Sequence, residues 1–192
     1  MIQTLEARWF RPGVLPASVR AWFDALAADG RGQMSPPEHR ADWYLVPAES
    51  DGLGLKHRGG RLEVKQRVGG AEHSRWGGAA EGLVEAWRKW SYRLAEDAPG
   101  EAGWVEVVKA RRLLHVPAAS DGGCCTLELG TVAVDGRPWW TVCLEAEGPS
   151  VPARREALRA AAARWITPGL PVHLGVADAG GYPAWLRRAA RG

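Results

Sequence analysis

The chain has 192 residues, 46% of them hydrophobic and 24% charged, a composition that excludes disorder and suffices for one buried core. Its 25 basic residues are nearly balanced by 22 acidic ones, for a formal charge of +3, and no block of five or more like charges occurs, so no nucleic acid is expected as a partner. No stretch approaches the ~18 apolar residues of a membrane span and residues 1–8 lack the basic-then-apolar order of a secretion signal. The expectation is a cytoplasmic protein without a membrane partner, folded as a single domain over 1–192.

Residues 3–10 alternate as a first strand, with Thr4, Glu6 and Arg8 on one face and Leu5, Ala7 and Trp9 on the other. Pro16 and Ser18 precede Val19, Trp22, Phe23 and Leu26, whose spacing predicts an amphipathic helix closed by Asp29-Gly30. A loop through Pro36-Pro37 leads to a strand at 41–46. Strands at 53–58 and 61–68 then flank Gly59-Gly60, a hairpin signal. Residues 69–80 read as a loop. Leu83, Val84, Trp87, Trp90 and Leu94 form one broad apolar face, so 81–94 is predicted as a second helix, ended by Pro99-Gly100.

Residues 104–114 return to alternation. Strands at 124–134 and 139–147 flank Asp135-Gly136, a second hairpin turn. Cys124, Cys125 and Cys143 cannot all pair and match no zinc or C-x-x-C spacing, so they are read as reduced packing residues. A third helix is predicted over 152–166, a short strand-like piece over 172–176 and a last helical piece around Trp185 and Leu186. This order gives an α+β fold, an antiparallel sheet or barrel wrapped by helices.

One face of these strands carries Arg8, Lys56, Arg58, Arg61, Lys65, Arg67, Lys109 and Arg111 as cations and Glu6, Glu63, Glu128, Glu145 and Glu147 as anions, with few Ser, Thr, Asn or Gln between them. A closed sheet would gather these charges in a cavity, where a cation cluster calls for an anion. Arginine forks and lysine point charges suit phosphate oxygens. Glu145 and Glu147, two apart on a strand, put both carboxylates on one side, as a hard Mg²⁺ or Mn²⁺ ion requires.

In these residues the chain resembles the CYTH, or triphosphate tunnel metalloenzyme, superfamily. Thr4-Leu5-Glu6-Ala7-Arg8 matches its opening Glu-x-Glu-x-Lys, with the first Glu lost and Lys replaced by Arg. Leu55-Lys56-His57-Arg58 and Leu62-Glu63-Val64-Lys65 match its basic hairpin, Val107-Val108-Lys109-Ala110-Arg111 its later basic strand, and Val142-Cys143-Leu144-Glu145-Ala146-Glu147 its late acidic strand. The resemblance implies a tunnel-like antiparallel barrel of about eight strands surrounded by helices.

It further implies that Arg8, Lys56, Arg58, Lys65, Lys109 and Arg111 hold phosphate oxygens, while Glu6, Glu128, Glu145 and Glu147 hold Mg²⁺ or Mn²⁺. Arg61 and Arg67 join the phosphate-binding candidates from the charged hairpin, and Lys65, Arg58 and Glu145 are the residues expected to carry the chemistry. The expected substrate is a small-molecule triphosphate or diphosphate and the expected reaction triphosphate hydrolysis. Two alternatives remain open. One is a diphosphate lyase or cyclase acting on an organic, isoprenoid-like diphosphate, prompted by Trp43, Tyr44, Trp76, Trp87, Trp90, Trp139 and Trp140, because aromatic faces can line a pocket and stabilise carbocations. The other is a non-catalytic polyphosphate-binding module.

Overall fold

The first strand has no wet face. In β1, Ile2–Pro12, Leu5, Ala7 and Trp9 are buried on one side, and Thr4, Glu6 and Arg8 are just as buried on the other. A sheet that buries polar and apolar faces alike must enclose one of them, and in the computed structural model, which describes residues 2–30, 32–46, 49–94, 103–116 and 122–190, it does so by closing on itself. The remaining strands are β2 Gln33–Met34, β3 Glu38–Leu45, β4 Leu53–Arg58, β5 Arg61–Arg67, β6 Glu72–Trp76, β7 Ala80–Arg93, β8 Trp104–Val116, β9 Cys124–Val134 and β10 Arg137–Glu147. Antiparallel pairing runs β1-β10-β9-β8-β3-β4-β5-β7 and back to β1, a closed eight-stranded barrel, with β6 attached to β7 and β2 to β8 outside the ring. Closure removes exposed sheet edges and fixes which side chains point inward.

The two hairpins form where expected. Gly59-Gly60 and Asp135-Gly136 all take positive φ, 52° and 67° in the first and 51° and 71° in the second, the geometry that lets a two-residue turn follow the strand twist. Registers then set the lining: Lys56 lies opposite Glu63, Glu6 opposite Glu145, and Cys143 opposite both Arg8 and Glu128.

Three expectations are corrected. Residues 81–94 form no helix but the long strand β7, which closes the ring by pairing with both β1 and β5. The apolar spacing there fits a helix equally well, but Glu85, Trp87, Lys89 and Ser91 alternate into the barrel, and the aromatic residues suit a strand. Gly82 has a packing role: a Cβ there would meet the Trp9 ring nitrogen at 2.7 Å, and that indole donates to the Glu81 carbonyl at 2.9 Å. The expected loop at 69–80 contains β6, which returns on β7 as a hairpin. The strand-like piece at 172–176 makes one bridge, Leu174 to Ala80, and is followed by a 3₁₀ turn, Val176–Asp178.

Helices α1, Ala17–Ala28, and α2, Val151–Ala161, sit outside the barrel, α2 running on into a π-turn at Ala162–Ile166. The Ser150 hydroxyl caps α2 by accepting from the Ala153 N–H at 3.2 Å. Phe23, Leu158 and Trp165 pack against Leu5, Ala7, Trp9, Leu127 and Leu144, making the outer core. A separate apolar cluster lies at one end of the barrel, where α3, Tyr182–Ala189, brings Trp185 and Leu186 onto Phe10, Val107, Val132 and Val134. Trp185 stacks on Phe10 with ring centroids 4.7 Å apart. The barrel is therefore a pit, floored by α3 and open where Glu147 and Arg58 reach solvent.

Candidate functional site: a charged pit with two unlike walls

The pit holds a cavity of about 290 Å³, and among the described residues eight basic side chains line it: Arg8, Arg40, Lys56, Arg58, Lys65, Lys89, Lys109 and Arg111. Five of them share two carboxylates. Asp42 on β3, fully buried, takes Lys109 at 3.0 Å, Arg40 at 3.2 Å and Lys56 at 3.7 Å, all on one oxygen, and its other oxygen has no hydrogen-bond partner among the described residues. Glu63 on β5 takes Arg58 at 2.8 Å, Lys56 at 2.9 Å and Lys89 at 3.0 Å. Glu38, at the more exposed rim, reaches Arg40 and Arg111.

The electrostatics record the crowding. Burial, more than Asp42 and Glu63 can offset, lowers Lys56 to about 8. Burial and then the charge of Lys56 push Lys109 well below the ordinary lysine value. Burial works against Glu63 as a carboxylate, but Lys56 and Lys89 overcome it and hold it at about 2. This wall carries more positive charge than its own carboxylates neutralise.

The opposite wall has the reverse problem. Glu6 and Glu145 face each other across β1 and β10 and share a hydrogen bond. Glu6 also accepts from Thr4 Oγ1 at 3.1 Å and from Lys65 Nζ. Burial opposes its charge, yet Lys65 and Arg8 keep Glu6 below the usual carboxylate range. Burial, then the charge of Glu6, raises Glu145 to about 7, so the pair carries a proton near neutrality. Lys65 lies over the Trp87 ring, 5.3 Å from its centroid.

Glu128 joins the two walls. Its oxygens take Arg8 at 2.6 Å and Arg111 at 3.1 Å, and these guanidiniums, against the effect of burial, hold it at about 2. Arg8 further reaches Thr141 Oγ1 at 3.4 Å.

Of the other residues singled out in the sequence, Glu147 is exposed at the mouth. Arg61 donates from Nε to the Ser91 hydroxyl at 2.7 Å beside the mouth. Arg67 pairs with Glu85 at 2.7 Å, outside the pit lining. Among the named aromatics, Tyr44 and Trp87 line the pit. Trp76 and Trp140 belong to the outer core, Trp139 packs on Trp185 at the floor, and Trp43 and Trp90 lie in register on the outer face. Cys124, Cys125 and Cys143 are free thiols, and burial raises the latter two.

Sequence reading passed over Arg40, Asp42, Lys89 and Tyr182. Glu38, Arg40, Asp42 and Tyr44 alternate, a signal that a strand begun three residues earlier would have captured. Lys89 was hidden by the helical reading of β7. Tyr182 has no local signal, because α3 carries it into the floor from the far end of the chain.

The donor set bears on a metal. Among the described residues, no three His, Cys, Asp or Glu side chains are grouped to hold an ion, so the four carboxylates named from sequence do not make a protein-only site. Glu6 and Glu145, adjacent and all-oxygen, fit a hard divalent ion that takes the rest of its shell from phosphate oxygens and water, the way Mg²⁺ is commonly held.

No known protein family matches the chain, and no curated protein does. Of 10 solved chains that match in structure, one is the RNA triphosphatase Pct1 of S. pombe, at 13% identity and a TM-score of 0.42, over 99% of this chain and 80% of that one. At that level the likeness carries no argument about the site, whose chemistry stands on its own residues.

Proposed function

We propose that the pit binds the phosphate chain of a small tri- or diphosphate and hydrolyses a phosphoanhydride bond in it. The observation that carries this reading is the excess of cations around Asp42 and Glu63, set across the cavity from the Glu6 and Glu145 pair. A polyphosphate supplies the anionic oxygens that Lys56, Lys109, Arg40, Arg58 and Lys89 lack. Arg8 and Arg111, fixed by Glu128, extend the binding surface toward the acidic wall.

Glu6 and Glu145 would hold Mg²⁺ or Mn²⁺, which when bound supplies charge neutralisation on phosphate oxygens. Lys65, between Glu6 and Trp87, orients the carboxylate it pairs with and places a positive charge beside the reacting phosphate. Arg58, part-exposed at the mouth, is placed to receive oxygens on the leaving side. Of the aromatic residues named from the sequence only Tyr44 and Trp87 line the pit, and Lys109 and Lys65 already sit against them, which disfavours a prenyl-diphosphate lyase.

The test is phosphate release from a panel of nucleotide, thiamine and inorganic triphosphates with Mg²⁺ or Mn²⁺. Release that needs metal and is lost in Lys65→Ala is expected; no release from any of them would overturn the hydrolytic reading. Binding of the same compounds without release would leave a polyphosphate-binding module.

A further inference from the structure

The floor of the pit comes from α3 rather than from the barrel. Gly181 packs so closely that a Cβ would meet the Trp87 ring at 2.8 Å and the Glu85 carboxylate at 3.3 Å. The next residue, Tyr182, lies flat on Tyr44, with centroids 5.1 Å apart and planes 10° apart. It stands edge-on to Phe10 and to Trp185 at 5.1 Å and 5.6 Å.

Two cations rest on this aromatic floor. Lys109 Nζ is 4.0 Å from the centroid of Tyr182 and 4.4 Å from that of Tyr44, and the Arg8 guanidinium carbon is 5.2 Å from Tyr182. Lys109 has Asp42 as its carboxylate partner but shares it with Arg40 and Lys56, so the Tyr44 hydroxyl, to which it donates, and the Tyr182 ring supply part of what holds its ammonium in place. Behind Tyr182 the next layer is Phe10, Val107, Val132 and Trp185, which carries no charge and, as its one polar group, the buried indole N–H of Trp185. The polar part of the cavity ends at this ring.

We propose that Tyr182 is a positioning residue that holds Lys109 and Arg8 for the terminal phosphate and stops the chain from passing through. The site then takes phosphate chains with at least one unesterified end and refuses chains esterified at both ends. This rests on the phosphate-binding reading above and adds an exclusion to it: dinucleoside triphosphates, esterified at both ends, are refused. A chain with two organic caps would have to push one of them through the Tyr182 layer to place its phosphates among the same cations.

Calorimetric titration of the whole protein with tripolyphosphate, ATP and diadenosine triphosphate separates the possibilities. The wild-type chain should bind the first two and bind diadenosine triphosphate on the order of a hundredfold more weakly. Tyr182→Phe, which keeps the ring, should retain this order. Tyr182→Leu, which removes the ring, should weaken tripolyphosphate by about tenfold and narrow the gap between capped and uncapped compounds. A purely structural role would weaken all three in proportion.

If the wild-type protein binds capped and uncapped triphosphates equally, the floor assignment falls and the phosphate reading stands. If it binds none of them, the phosphate reading itself falls. The wild-type comparison decides even where Tyr182→Leu does not fold.

Discussion

The two walls of the pit are built from the same residue types and solve opposite problems. On the Asp42 and Glu63 wall, five cations crowd two carboxylates, and the stress appears as lysines pushed toward neutrality. On the Glu6 and Glu145 wall, two carboxylates crowd each other, and the stress appears as a retained proton. Each wall lacks what the other has in excess; Lys65 reaches Glu6 and Glu128 ties Arg8 to Arg111, but these links leave the retained proton on Glu145 and the crowding around Asp42 in place. A bound group with anionic oxygens on one side and a cation on the other would relieve both, and metal-bound polyphosphate is such a group.

The largest expected effect of breaking this contrast is on stability. Asp42→Asn removes the one charge on which Lys109, Arg40 and Lys56 converge, leaving the buried Lys109 without a carboxylate partner, and should destabilise the fold by about 3 kcal/mol. Glu145→Gln removes a carboxyl whose charge is already costly beside Glu6, so its cost should stay within about 1 kcal/mol. Denaturant unfolding of both variants measures this. Added tripolyphosphate should stabilise Asp42→Asn more than it stabilises wild type, because it replaces the missing charge. Equal losses in the two variants would mean that the walls are not electrostatically distinct.

How much of this could be read from the sequence depends on how far apart the deciding residues are. Strand alternation is local, so β1, the β4–β5 hairpin and the β9–β10 hairpin were legible, along with their inward charges from Glu6 to Glu145. The strand β7 was not, because Leu83, Val84, Trp87 and Trp90 satisfy either period, and only its pairing with β1 and β5 settles the matter. Charge compensation was harder still. Lys109, Lys65 and Arg111 each look unpaired along the chain, and their partners, Asp42, Glu6 and Glu128, are brought by other strands in a register that no short motif encodes. The floor is least legible, since Tyr182 meets Lys109 and Tyr44 only after the barrel has closed.

A second substitution pair moves the contrast from folding to function. Lys109→Met should lower tripolyphosphate affinity about tenfold, the order expected for a lost hydrogen bond to a charged group, whether or not metal is present. Glu145→Gln should leave metal-free binding nearly unchanged but lower metal-dependent phosphate release by about two orders of magnitude. Calorimetry in chelator and a phosphate assay with Mg²⁺ read the two separately. If both variants lose binding alike, the division of labour between the walls is wrong.

The smallest effect is the pH dependence that Lys56 confers. Burial sets its folded value at about 8, below the 10.5 of a free lysine. Between those values the unfolded chain binds more protons than the folded one, so this residue's cost to folding is largest below about pH 8 and is relieved as pH rises through the window. Phosphate binding carries the opposite sign, because an oxyanion needs the ammonium form: tripolyphosphate affinity should be highest below about pH 8 and decline above it. Lys56→Arg keeps its charge throughout this range, so its affinity should fall less steeply over the same interval. Dissociation constants measured from about pH 7 to about pH 9 for the two proteins make the comparison, and parallel curves would show that the crowded lysine is not where the phosphate chain is held.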